Sequence, residues 1–227
     1  MAQKSMIRVE VRAYSASFRV PGMMGYQLTS PVPPPSTVYG LLAAACGREV
    51  TPEEAPIAYR FDYEALAEDL EKILFFGEGG PKWSAKTGGV GSGVVTRQFL
   101  ANACLTLYLP AGEAANALLR PRFPLLLGRS QDVAFVASWR EAQLESVERA
   151  TISGVLVPFP IQSSARRSRL LSFPTFHTVQ EPRRARAVKP FHVFDSLSGS
   201  QEIVAPDLWR DVQSGEAMPL FHSTNLS

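Results

Sequence analysis

The chain has 227 residues, 45% of them hydrophobic and 19% charged, with a formal net charge of +2. That length supports one large domain or one domain with an elaborated extension, and the hydrophobic share excludes wholesale disorder. No apolar run is long enough for a helical membrane span, residues 1–5 lead straight into a strand-like segment without a signal-peptide core, and two cysteines, Cys46 and Cys104, are too few for a disulfide framework and lack metal-ligand spacing. Both cysteines sit in apolar runs and read as buried thiols. The expectation is a cytoplasmic protein with no cofactor and no metal.

Taken in order, residues 6–14 alternate, with Ile7, Val9, Val11 and Ala13 on one face and Arg8, Glu10, Arg12 and Tyr14 on the other: a half-buried strand. A loop follows, and then a proline run, Pro31-Val32-Pro33-Pro34-Pro35, opens onto Ser36-Thr37-Val38-Tyr39-Gly40-Leu41-Leu42-Ala43-Ala44-Ala45-Cys46-Gly47. Prolines fix φ and hold the preceding residues extended. Ser36 and Thr37 are expected to cap the first free amides of a helix, and Gly47 to end it in the left-handed conformation. A helix apolar on every side must be buried, while its N-terminus, carrying partial positive charge, suits a phosphate. Residues 57–76 are ambiguous: Leu66, Leu70 and Ile73 recur at helical spacing, yet Ile73-Leu74-Phe75-Phe76 reads as a strand.

Residues 77–93 hold seven glycines with Lys82, Trp83 and Lys86 among them. A strand is expected over 96–109, a short helix over 113–119, a glycine-marked turn at Leu127-Gly128-Arg129-Ser130, and a strand over 133–137. The order strand, helix, strand, strand, helix, strand is the ferredoxin-like arrangement shared by RNA-recognition domains. From residue 142 the pattern loosens. Residues 144–157 fit one or two strands around Ser153-Gly154, and residues 141–227 read as an extension packed on the first unit, residues 1–140.

Charge is unevenly placed. Acid gathers in Glu53, Glu54, Asp62, Glu64, Glu68, Asp69, Glu71 and Glu78, whereas residues 79–112 have no carboxylate but contain Lys82, Lys86 and Arg97. A later basic run holds Arg166, Arg167, Arg169, Arg183, Arg184, Arg186 and Lys189. Arginine favours bidentate phosphate contacts; an ordinary solvated surface is the plain alternative.

The proline-to-glycine segment, read with Phe18-Arg19-Val20-Pro21 before it and Leu127-Gly128-Arg129-Ser130 after it, resembles the CRISPR-associated Cas-five family and is most similar to its type I-B branch. The resemblance covers the first unit, residues 1–140. It implies an α+β fold with a ferredoxin-like (RRM-like, RAMP) palm and a protruding β-hairpin thumb over about residues 77–98. It further implies a non-catalytic subunit of a type I surveillance complex (Cascade) that binds the 5′ handle of the crRNA. The implied partners are the crRNA, the backbone subunit and the large subunit, with target DNA near the PAM as a further candidate; no membrane is involved.

Expected RNA-binding residues are Arg19, Ser36, Thr37 and Arg129 with Ser130 on the palm, and Lys82, Trp83, Lys86, Arg97 and Gln98 on the thumb. Glycines allow close approach of backbone to RNA, cations meet phosphates, and Trp83 offers a stacking face or fills a core or interface. Arg166 and Arg167 either track RNA or touch protein or DNA. One branch of the family cuts precursor guide RNA with tyrosine, lysine and histidine, which keeps a metal-independent endoribonuclease as the alternative; a stand-alone RNA-recognition-type domain is another. His177, His192 and His222 all lie outside the matched region, and no spacing joins them to Tyr14 or Tyr39. No Walker-type loop or nucleophile elbow is present, so no enzyme is expected.

Overall fold

The computed structural model describes residues 2–22, 25–76, 90–162, 166, 168–178 and 184–226. The alternation at the N-terminus gives β1 (Gln3–Ala16), whose Ile7, Val9, Val11 and Ala13 are buried. A short β2 (Tyr26–Gln27) precedes helix α1 (Pro35–Cys46). Then come β3 (Ile57–Asp62), β4 (Ala65–Phe76), β5 (Val90–Leu109), α2 (Glu113–Ala117), β6 (Leu125–Leu126) and β7 (Val133–Ile152). The remainder forms β8 (Val155–Pro158), β9 (Ser168–Pro174), β10 (Val188–Phe194), β11 (Gln201–Asp211), β12 (Ala217–Phe221) and a terminal turn α3 (Ser223–Leu226).

The ambiguity over residues 57–76 resolves to strand: after β3, β4 pairs with β5 from Ala65↔Ala101 to Phe76↔Val90. A spacing of four satisfies a period of two as well as a period of 3.6, so Leu66 and Leu70 share a strand face just as they would share a helix face. Long-range pairing decides between them. The strand expected over 133–137 runs on to Ile152, and Ser153-Gly154 turns it into β8. Gly154 needs its φ of 67°, and a Cβ there would lie 2.3 Å from the Phe61 carbonyl oxygen.

The sheet order β7-β1-β5-β3 is antiparallel throughout, with α1 between β1 and β3 and α2 between β5 and β7. β12 extends it beside β3, and β11 bridges β12 to β7, so the pairings close into a ring of six strands. Residue 140, the expected unit boundary, lies inside β7, and β11 and β12 belong to the same sheet as β1. A second sheet, β8-β10-β9, lies beside it.

One core fills the space between the sheet and α1, where Val9, Val11 and Leu107 meet Val38, Leu41 and Leu42. Truncating a fully buried leucine such as Leu42 costs about 2–5 kcal/mol. A second cluster includes Met6, Tyr108, Leu144 and Met218. Beside it the fully buried Asp211 accepts bonds from the Tyr108 hydroxyl (2.8 Å) and the Gln213 amide (2.8 Å), and Arg8 Nε donates to Tyr108 (3.2 Å). Both cysteines are half-buried rather than buried, and desolvation pushes each thiol up. Among the described residues no helix is long and apolar enough to cross a membrane.

Candidate nucleic-acid interface

The proline run is pinned before α1 begins. The Tyr59 hydroxyl donates to the Pro33 carbonyl (2.8 Å), and Ser30 Oγ to the Val32 carbonyl (2.7 Å). Pro34 occupies the N-cap with φ −59° and ψ 151°, and Pro35 is the first helical residue. This corrects the expected caps: Ser36 and Thr37 stand inside the first turn, and no side chain caps the helix. Proline at the first position is preset for helix and lacks an amide that would need a partner. The Thr37 amide folds back on Pro34 (2.9 Å), while the Ser36 amide has no intrahelical acceptor. Gly47, as expected, closes the other end at φ 72°, its amide bonding Ala43 O at 2.8 Å.

The uncapped end opens on a groove. A stretch of about 490 Å³ runs along Ser36, Thr37, Gly40, Leu41 and Ala44 to Leu126, Gly128 and His177. It joins a hollow of about 340 Å³ lined by Arg19, Arg97 and Arg129, which shares Ser36, Thr37, Gly128 and His177 with it. Five of the expected RNA-binding residues therefore converge on one concavity from four different segments of the chain.

They differ in how their charge is committed. Arg129 is clasped by Asp132, with Nε to Oδ2 at 3.0 Å and Nη2 to Oδ1 at 2.9 Å; its amide also donates to Oδ2 (2.9 Å). Ser15 Oγ adds a bond to Oδ1 at 2.6 Å. The two side chains of the clasp are 9% and 0% exposed. Hydrogen bonding to Asp132 raises the Arg129 guanidinium above its ordinary value despite burial, and the guanidinium lies 5.6 Å from the Phe99 ring centre. Gly128, at φ 117°, lets this turn press on β1: a Cβ would fall 2.0 Å from the Ser17 carbonyl oxygen.

Arg97 is ion-paired to Glu71 across the β4–β5 ribbon. Gln98 accepts from the Thr29 amide (3.4 Å) and donates to the Tyr26 hydroxyl (3.2 Å). Arg19, in the loop bridged to Thr29, is exposed and has no ionic partner among the described residues. Ser130 and Arg166 are exposed and stand outside the groove lining. Lys82, Trp83, Lys86 and Arg167 lie outside the described residues.

His177 reaches the groove from the β9–β10 connection, where it bridges Ala185. It is distant from Thr37 along the chain, and no local signal marks it. The tyrosines raised for catalysis do not line the groove. The Tyr39 hydroxyl is buried on the Ala55 carbonyl (3.0 Å) and pushed well up by desolvation, and Tyr14 lines a different hollow. His192 bonds Ser168 (3.0 Å) and His222 faces Asp207 (3.3 Å); neither lines the groove.

A largely antiparallel sheet carrying two helices, with a groove lined by arginines at the head of the longer one, defines an α+β chain. The chain belongs to the CRISPR-associated protein (Cas_Cas5) family, whose sequence profile matches residues 6–157. Among solved structures it is similar to a CRISPR protein from Archaeoglobus fulgidus, at 13% identity over 97% of this chain and 100% of that one, TM-score 0.50. It is also similar to a chain of the Type III-B Cmr-beta complex bound to cognate target RNA and AMPPnP, at 9% identity over 87% and 86%, TM-score 0.53. A chain of a CRISPR RNA-guided surveillance complex aligns at 19% identity over 88% and 91%, TM-score 0.48. At 13% and 9% identity the first two likenesses are ones of fold. No curated protein matches the sequence.

Proposed function

We propose that this chain is a non-catalytic RNA-binding subunit of a type I CRISPR surveillance complex that seats the 5′ handle of the crRNA in the groove at the head of α1. The observation that carries this is the uncapped helix end, with Ser36 and Thr37 half-exposed in its first turn, facing a hollow that Arg19, Arg97 and Arg129 also line. A helix N-terminus with unsatisfied amides and nearby guanidinium groups suits an RNA phosphate. The β7-β1-β5-β3 order with its two helices is the ferredoxin-like palm, and the β4–β5 ribbon is the base of the thumb. Target recognition would reside in guide pairing rather than in this chain. Backbone and large subunits are its proposed neighbours.

Against catalysis stands the lining of the groove: the Tyr39 hydroxyl is buried on the Ala55 carbonyl, Tyr14 lines another hollow, and of these groups His177 alone lines the groove. Incubating the purified chain with precursor crRNA in a metal chelator tests both halves. Tight, salt-sensitive retention of intact RNA is expected. Specific cleavage within the repeat overturns the non-catalytic assignment, and failure to co-purify with guide RNA and co-expressed backbone subunit overturns the complex assignment.

A further inference from the structure

The sheet face turned away from α1 carries a second hollow, of about 370 Å³, that the groove does not use. Along β1 the odd residues Val9, Val11 and Ala13 face the helix core, and the even residues Arg12 and Tyr14 face outward. Tyr14 is 83% exposed, although it stands on a strand paired on both sides. Phe135 on β7 sits directly opposite Arg12 and is 51% exposed. Cys104 lies on the other side of Arg12, on β5. The far wall is Asn102, at φ 50°, whose amide donates to Glu64 Oε2 at 2.7 Å.

This arrangement has a definite chemistry. Phe135 faces Arg12, two residues from Tyr14 along β1, so Tyr14 and Phe135 are diagonal neighbours on adjacent strands and line one hollow within reach of a common flat ligand. Exposed aromatic side chains on a sheet face are a stacking platform for unpaired bases. The surrounding charge argues against a backbone track: Arg12 already faces Glu10 at 3.5 Å, and Asp62 and Glu64 border the same hollow or its row. A neutral base is favoured over a phosphate. The Glu64 carboxylate accepts from a base edge rich in N–H donors, and Arg12 supplies donors to carbonyl and ring-nitrogen acceptors. Guanine presents both kinds of edge.

We propose that this hollow is a binding site for a single unpaired guanine base of single-stranded RNA, stacked against Tyr14 and Phe135 and read by Glu64 and Arg12. It is separate from the α1 groove and lies on the opposite face of the sheet.

The test uses the full chain and two labelled RNA decamers, one all-uridine and one with a single central guanosine, followed by fluorescence anisotropy. The guanosine decamer is expected to bind more tightly. Tyr14→Ala or Phe135→Ala should remove about tenfold of its affinity, the range for loss of one base stack, with an unchanged melting temperature because both side chains are exposed. Glu64→Gln should abolish the preference between the decamers. Arg19→Ala, in the α1 groove, should weaken both decamers alike, so failure of the groove and failure of this hollow read out separately. Equal binding of the two decamers, or wild-type affinity in both aromatic variants, overturns the proposal. So does release of a co-expressed partner protein by those variants with RNA binding unchanged, which would assign the face to protein docking.

Discussion

The two ends of α1 are finished in opposite ways. At the C-terminus the chain supplies its own partners: Gly47 turns back on Ala43, and the α2–β6 connection donates its Arg122 amide to Ala45 O (2.9 Å) and its Phe123 amide to Ala44 O (3.1 Å). At the N-terminus, Pro34 and Pro35 shape the helix without any side-chain cap, and the open end faces a basic hollow. A helix end closed by its own chain is structural. One left open, yet held in place by Tyr59 and Ser30, is the end on which the proposed RNA-phosphate seat rests.

Around the open end the arginines divide in the same sense. Arg129 is a buried clasp, Arg97 is paired, and Arg19 has no ionic partner among the described residues. The largest expected effect breaks the clasp. Asp132→Ala leaves a buried guanidinium and the Ser15 hydroxyl unpartnered, which should cost about 3–5 kcal/mol in urea unfolding. A loss under about 1 kcal/mol would mean that Arg129 finds solvent as readily as Arg19 does.

Next comes the closed end. Gly47→Ala forces an alanine into the left-handed region and should cost about 1–2 kcal/mol, while RNA affinity, measured by filter binding on the folded fraction, stays at the wild-type level. Parallel loss of RNA affinity would show that the two ends are not separable.

Arg19→Ala carries the converse expectation: stability within about 0.5 kcal/mol of wild type, and a salt dependence of RNA binding flatter by about 0.7 in log–log slope, the value for one single-strand phosphate contact. An unchanged slope would remove Arg19 from the interface.

The smallest effect lies away from α1. Desolvation lowers the His192 pKa below its ordinary value near 6.5. The unfolded chain then takes up the proton first on acidification, so this contribution is present above about pH 6.5 and is lost as pH falls below that value. His192→Gln should flatten the stability profile between about pH 5 and 7. A profile identical to wild type would assign the acid sensitivity elsewhere.

Much of α1 was legible in sequence because its signals are local. Proline sets φ, glycine accepts the φ of 72° at position 47 without a Cβ penalty, and a run of leucine and alanine demands burial. The identity of the cap was not legible, because Ser36 and Thr37 carry the right chemistry too late, behind a proline that starts the helix early. β4 was ambiguous because a four-residue spacing serves both periods. The reach of β7 was hidden because residues 137–141, Ala-Ser-Trp-Arg-Glu, break the apolar alternation, and the strand's length comes from pairing first with β1 and then, from Leu144 on, with β11. The place of β11 and β12 in the ring rests on register between strands far apart along the chain, which leaves no local pattern.

The same division holds for the site. The α1 span, the outward alternation of β1 and the family motifs are all present in the linear chain, because each follows from backbone conformation or side-chain period over a few residues. Which arginines remain available to a ligand is settled only once the chain has folded. Asp132 and Glu71 reach their partners through a tight turn and a cross-strand register, and Ser15 joins the clasp across 117 residues. Whether a cation is neutralised depends on which carboxylate the fold delivers within ~4 Å, a quantity that no stretch of sequence around the arginine contains.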